Sequence, residues 1–145
     1  MVGRVTFEIT GAKEMEALLK DLGPKVATRL GDKALRAAAK PIIQEAKRLV
    51  PVRTGQLKRS IVAARGRNKQ TEREVLIGFK PPVSRRAHFT EFGTRHSAAH
   101  PFIRPAMDAR AQDALNAMVD TLAEGIEKEE WKRAVASGGD LIEID

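Results

Sequence analysis

Three histidines, His88, His96 and His100, fall within thirteen residues, in a stretch running from Ala87 to Ala106 that also carries Phe89, Glu91, Phe92, Gly93 and Phe102. The chain has no cysteine or tyrosine and one tryptophan, so no other segment concentrates so many reactive or unusual residue types. Imidazole and carboxylate are sound zinc or iron ligands, which makes His88, Glu91, His96 and His100 a candidate metal site. The spacing opposes it, because no HExxH pattern puts two histidines one helical turn apart beside a catalytic glutamate. Arg85, Arg86, Arg95 and Arg104 crowd the same stretch, and their charge repels a cation. No metal and no cofactor is therefore expected.

General acid–base chemistry by Glu91 or a histidine, on a substrate held by the arginines, is the second reading. It requires a positioned nucleophile or base and a water-excluding pocket. The sequence offers no nucleophile elbow, no Gly-rich phosphate loop and no second carboxylate nearby. The third reading is structural. Phe89, Phe92 and Phe102 anchor a long loop on the core, and Gly93 supplies a positive φ or a close backbone approach. Pro101 starts a helix, with Arg104-Pro105 in its first turn, and Glu91 serves as an arginine partner or a cap. Physical argument favours this version and predicts no catalytic residue.

The elements that must hold this block follow from periodicity. Val5, Phe7 and Ile9 alternate with polar residues, the pattern of a half-buried strand. Residues 12–22 form a short amphipathic helix with Met15, Leu18, Leu19 and Leu22 on one face. Pro24 suits the first position of a long helix over 25–50. Along it Lys25, Arg29, Lys33, Arg36, Lys40 and Lys47 share one side, and Leu35, Ala38, Ile42, Ala46 and Leu49 share the core-facing side. Pro41 should kink or divide this helix, and Gly31-Asp32 is a weaker candidate break. Pro51 stops it and Arg53-Thr54-Gly55 reads as a turn. Residues 57–65 and 73–79 read as antiparallel strands joined by a long polar loop, Gly66 to Glu72. A basic loop follows Pro81-Pro82. After Pro101 a last helix runs to about Arg133, its apolar face drawn from Ile103, Met107, Ala111, Leu115, Met118, Leu122 and Ile126. The order argues for an α+β fold: a small antiparallel sheet packed against a long kinked helix and a C-terminal helix. At 145 residues one domain is expected over 1–136, with 137–145 a flexible acidic C-terminal tip.

Composition narrows the partners. No apolar run approaches the roughly 20 residues of a membrane span, and the N-terminus lacks a signal-peptide layout, so residence in the cytoplasm where it is made is expected. The net charge of +7 conceals a split: residues 24–104 carry nineteen Lys/Arg against five Asp/Glu, while 105–145 carry four against ten. Such halves attract nucleic acid, or each other. No aromatic interleaving or recognition-helix motif accompanies the basic stripe.

Four short segments complete a pattern. Val50-Pro51-Val52-Arg53-Thr54-Gly55-Gln56-Leu57-Lys58-Arg59-Ser60-Ile61, then Val75-Leu76-Ile77-Gly78, are followed by Phe89-Thr90-Glu91-Phe92-Gly93-Thr94 and by Pro101-Phe102-Ile103-Arg104-Pro105-Ala106. In this order they resemble the family named after the tenth gene product of phage HK97, small virion proteins of the neck and tail top. The likeness spans about residues 5 to 125, and its signature falls on Pro51, Thr54, Gly55, Leu57, Ser60, Ile61, Glu91, Phe92, Gly93, Thr94, Pro101, Phe102 and Pro105. The resemblance implies assembly rather than catalysis. It implies a homo-oligomeric ring that completes the tail or joins it to the head, made in the bacterial host cytoplasm and partnered by other neck and tail proteins. Passing contact with genome DNA is expected in such a ring, and none with a membrane. Ring interfaces are heterologous. The basic face (Lys25, Arg29, Lys33, Arg36, Lys40) or the loop residues Arg67 and Lys69 are expected to meet Asp113, Asp120 and Glu124 of a neighbour. The Leu141-Ile142-Glu143-Ile144 tip could add a strand to a neighbour's sheet edge, or be disordered. The alternative reading is a small basic DNA-binding module.

Overall fold

The computed structural model describes residues 12–66 and 73–137. Within them lie five helices and two strands: α1 (Ala12–Leu22), α2 (Pro24–Leu49), α3 (Gln56–Ser60), β1 (Ile61–Arg65), β2 (Val75–Phe79), α4 (Ser84–Phe92) and α5 (Ile103–Ala136). The fold is α+β, with the long helices packed beside a two-stranded antiparallel sheet. The strand expected around Val5, Phe7 and Ile9 lies outside the described residues, as do Arg67, Lys69 and the tip beyond Ser137.

α2 and α5 form the main packing unit. They run antiparallel: Arg29 near the start of α2 pairs with Glu129 late in α5, and Glu45 near its end pairs with Arg110 early in α5. Small residues let the two backbones approach. Ala34 and Ala114 are buried, and a Cβ built on Gly125 would lie 2.5 Å from Cδ2 of Leu30. The buried line of α2 is Leu30, Ala34, Ala39, Glu45 and Ala46. Of the stripe expected from periodicity only Ala46 is fully buried. Leu35, Ala38, Ile42 and Leu49 are half-buried, because the close contact selects small side chains and moves bulkier ones to its margins.

α2 runs as one helix through Gly31 and Pro41, so neither residue divides it. Pro41 removes one donor, which leaves the Ala37 carbonyl without its helical partner. Packing along both sides outweighs that local cost. The helix ends where Val50 turns extended and its N–H reaches the Ala46 carbonyl at 2.9 Å, one residue before Pro51.

The strand expected over 57–65 is half helix. Gly55, at φ 74°, opens a single helical turn through Ser60, and only Ile61 to Arg65 are extended. The turn buries Leu57 and Ser60 together, with the Ser60 hydroxyl donating to the Leu57 carbonyl at 2.7 Å. Leu57 and Ser60, three residues apart, share a face in a helical turn but would lie on opposite faces of a strand, so the burial of both follows from the turn. Ile61 pairs with Phe79 and Arg65 with Val75.

Two apolar clusters result. One joins Ala46, Val50, Leu57, Ile61, Ala87, Phe102 and Ala106, where α2 ends, the sheet begins and α5 starts. The other joins Leu22, Leu30 and Ile126 at the opposite end of the α2–α5 pair.

Candidate functional site

The block at 87–106 begins on a helix, α4, and only residues 93–102 form a loop before α5. α4 buries Ala87 and Glu91, one turn apart, which turns His88, Phe89 and Phe92 outward. Phe89 and Phe92 are 47% and 40% exposed, so of the three phenylalanines expected to anchor this segment only Phe102 does so. Phe102 is fully buried and meets Phe79 edge-on at 5.8 Å. The apolar count of the segment suggested three anchors, but the helical phase of α4 admits none of its own phenylalanines.

Gly93 ends α4 at φ 74°, ψ 178°, with its N–H on the Phe89 carbonyl at 2.8 Å. A Cβ there would also meet Ala99 N at 2.8 Å and Ser97 O at 2.9 Å. Both conditions, positive φ and close backbone approach, hold at one residue. Thr94 and Ser97 then bridge across a tight turn, and His100 N–H returns to the Thr90 carbonyl at 2.8 Å. This fold-back delivers Phe102 and the start of α5 to the side of α4.

Glu91 sits at that junction, 7% exposed. Its Oε2 accepts the N–H groups of Phe102 at 2.8 Å and Ile103 at 3.0 Å, and its Oε1 accepts that of Arg104 at 3.2 Å. The first amides of a helix have no partner within it, and no side chain at the α5 N-cap supplies one. Glu91 supplies them from another helix, with a negative charge at the positive end of the α5 dipole. Both oxygens are occupied, so the carboxylate is an inter-helix cap rather than a free base or ligand.

The histidines do not converge. All three are exposed, and His88 lies against Phe92 at 4.8 Å and Phe89 at 6.3 Å between ring centroids. Among the described residues no three His, Cys, Asp or Glu side chains are grouped to hold a metal ion. The Arg104 guanidinium lies 5.4 Å from the Phe92 ring centre, within cation–π range. Beside this pair an open groove of about 350 Å³ runs over Glu91, between Phe92, Ala99, Pro101, Arg104, Pro105 and Asp108.

The signature residues at the other segment surround the turn after α2. Pro51 and Thr54 are exposed, Gly55 holds the left-handed conformation, and Leu57, Ser60 and Ile61 are buried beneath it. Arg59 donates to the Thr54 carbonyl at 3.4 Å. Thus the two signature segments meet in one core, through Ile61, Leu57 and Phe102.

Charge is partly reconciled within the chain. Lys25, Arg29, Lys33, Arg36 and Lys40 are all exposed on α2, but Arg29 contacts Glu129 of the chain's own α5 at 2.6 Å. Asp113 pairs with Arg110 at 2.9 Å, whereas Asp120 and Glu124 are exposed without an ion pair among the described residues. Two further ionic features were not foreseen. Glu45, 6% exposed, lies between Arg48 and Arg110, and the hydrogen bond from Arg48 is the largest influence holding its carboxyl below the usual range. Asp32 pairs with Arg73 at 3.0 Å and with Arg65 at 2.8 Å, tying the end of β1 and the segment just before β2 to α2. An acidic residue in the apolar phase of α2 was the available signal for Glu45. Arg110, sixty-five residues away, gave none.

No helix of the described residues is long and apolar enough to cross a membrane. A family model described as "Bacteriophage HK97-gp10, putative tail-component" matches residues 13–93, from α1 through the glycine that ends α4. No curated protein and no solved structure gives a significant match. Because the matched segment is more than half of the chain, the protein belongs to the HK97 gp10-like family of phage tail components.

Proposed function

We propose that this chain is a non-enzymatic structural subunit of the phage neck or tail top, which completes the tail or joins it to the head as part of a homo-oligomeric ring. The family match is the observation that carries this reading. The surface supports it. Lys25, Lys33, Arg36 and Lys40 project from α2 without ion pairs among the described residues, and Asp120 and Glu124 project from α5 likewise. In a heterologous interface one such patch faces the other on the next subunit, and charge matching sets register and association rate more than affinity. Residues 1–136 act as one domain in this reading, and Pro51 to Ile61 together with Glu91 to Pro105 frame it.

Electron microscopy of the purified protein, with its mass by light scattering, is the test. Rings are expected. Asp120→Lys with Glu124→Lys should abolish them while leaving the circular dichroism spectrum unchanged; adding Asp113→Lys also removes the local Arg110 pair. Intact rings from the charge-reversed protein would sink the matching of these two faces. The same four free cations favour a second reading, a basic DNA-binding module, with phosphate contacts whose affinity falls steeply with salt. A monomer that retains DNA at low salt would favour it, and negligible retention would dismiss it.

A further inference from the structure

The outward faces of α2 and α5 carry polar residues at the same intervals. On α2, Lys33, Arg36, Lys40, Gln44 and Lys47 follow one another by 3, 4, 4 and 3 residues. On α5, Asp113, Asn116, Asp120, Glu124 and Glu127 follow by 3, 4, 4 and 3 as well. Steps of three and four keep to one side of a helix, so each series is a stripe about 21 Å long. Lys47 is half-buried and the rest are exposed. Among the described residues only Asp113 of these has an ion pair, with Arg110 of its own helix at 2.9 Å.

The order of the residues matches in one direction. Gln44 stands second from the C-terminal end of its stripe, and Asn116 second from the N-terminal end of its own. Laid antiparallel, amide meets amide, and Lys47, Lys40, Arg36 and Lys33 oppose Asp113, Asp120, Glu124 and Glu127 in turn. Laid parallel in the same steps, Arg36 meets Asn116 and Gln44 meets Glu124, which leaves three opposed pairs instead of four. A parallel slide of eleven residues returns to step, but it too gives three pairs, one of them through Arg29, which Glu129 already engages.

The antiparallel register also accounts for the exposed tryptophan. Four residues past Glu127 is Trp131, 59% exposed, and four residues before Lys33 is Arg29. Arg29 holds Glu129 at 2.6 Å through one edge, which leaves the flat face of its guanidinium for a ring. In the parallel arrangement with all steps matched, Trp131 falls opposite Pro51, beyond the end of α2.

We propose that α2 of one subunit packs antiparallel on α5 of the next, in the register that sets Lys40 opposite Asp120, with Trp131 stacked on Arg29 of the neighbouring copy. The proposal rests on the ring reading above and fixes the direction, register and apolar anchor of its interface. Exposed ion pairs contribute little each, so they select the register, and burial of Trp131 supplies the affinity. The contact joins two different faces and is therefore heterologous. It continues the antiparallel order that α2 and α5 adopt within a subunit, in which the helix dipoles oppose.

The chain has no cysteine, which makes the test direct. Gln44→Cys and Asn116→Cys each replace an exposed, uncharged side chain. The two full-length variants are mixed, oxidised under mild conditions and analysed on non-reducing gels, with light scattering of each sample. A disulfide-linked dimer that forms severalfold more in the mixture than in either variant alone is expected. Arg36→Glu added to the first variant should suppress it, and Glu124→Arg added to the second should restore it. Trp131→Ala in the second should raise the concentration for half-maximal cross-linking about tenfold while leaving the circular dichroism spectrum unchanged. An unchanged concentration overturns the tryptophan anchor. Preferential cross-linking of Gln44→Cys to Glu124→Cys overturns the direction. Rings without the Gln44–Asn116 cross-link overturn the register and leave the ring reading standing. Cross-linked dimers with no larger assembly support the contact and count against the ring.

Discussion

Replacing Glu91 with alanine removes an acceptor from three consecutive amides, and the cost of each depends on its access to water. The Phe102 N–H lies beneath a fully buried residue, the Ile103 N–H is half-buried, and the Arg104 residue is exposed and can recover a water partner. A buried donor left without a partner costs about 1–3 kcal/mol, and loss of a helix N-cap about 1 kcal/mol. Together these predict a loss of about 3 kcal/mol for Glu91→Ala. Glu91→Gln should cost less. Its amide carbonyl can stand where Oε2 accepts both Phe102 and Ile103, and only the bond from Arg104 to Oε1 meets an NH₂ group instead. About 1 kcal/mol is expected there. In a domain of this size 1 kcal/mol moves the melting midpoint by roughly 3 °C, so alanine should lower it by about 10 °C and glutamine by about 3 °C. Thermal and urea melts followed by far-UV circular dichroism read both values. An alanine variant that melts within about 2 °C of the parent would refute the inter-helix cap as a stabilising contact.

Gly93→Ala adds a Cβ at positive φ against the Ala99 and Ser97 backbone, and should cost about 3 kcal/mol in urea denaturation. A neutral result would mean that the 94–99 turn rearranges freely. Gly125→Val should destabilise by about 2 kcal/mol through overpacking against Leu30. Leu30→Ala should then cost measurably less in the valine background than alone, and simple additivity would disprove the contact. Acid exposes Glu45. Its folded pKa is lowered by Arg48 first and Arg110 after, so its stabilising contribution is full above the ordinary value of 4.5 and disappears as pH falls through the lowered one. Glu45→Gln should therefore melt below the parent at neutral pH, with the gap closing on acidification. A gap independent of pH would exclude the ionic origin.

The sequence announces features whose cause is local. Pro51 ends α2 because the chain cannot continue the helix into it, and Gly93 marks a positive φ that few other residues tolerate. The two long helices are legible as helices, but of the apolar stripes expected along them only Ala46 on α2 and Ile126 on α5 are fully buried. What it conceals depends on partners distant in the chain. α3 is a single turn, too short for any period, and exists because Leu57 and Ser60 find a core built by Phe102. α4 looks like a loop because its arginines, histidines and exposed phenylalanines give no apolar face. Its helical phase is set by burial of Ala87 and by the three amides waiting for Glu91. The His88, Glu91, His96 and His100 cluster is compact in sequence but divergent in space, since the helix, the glycine break and the return turn send each side chain a different way. Glu91 as a cap was one of the readings left open, but only the positions of Phe102, Ile103 and Arg104 identify the amides it holds.

That cap also bears on where this protein can be cut. The family match ends at Gly93, two residues past Glu91, whereas every amide that Glu91 satisfies lies beyond it, at 102 to 104. A fragment trimmed to the matched region would keep the carboxylate and discard its partners. It would also strip α2 of the helix that covers Leu30, Ala34 and Glu45. The matched segment is thus only the first part of an interlocked pair, and expression of 13–93 alone should yield an aggregating, poorly ordered chain. The indivisible unit extends at least to the end of the α2–α5 contact, at Glu129.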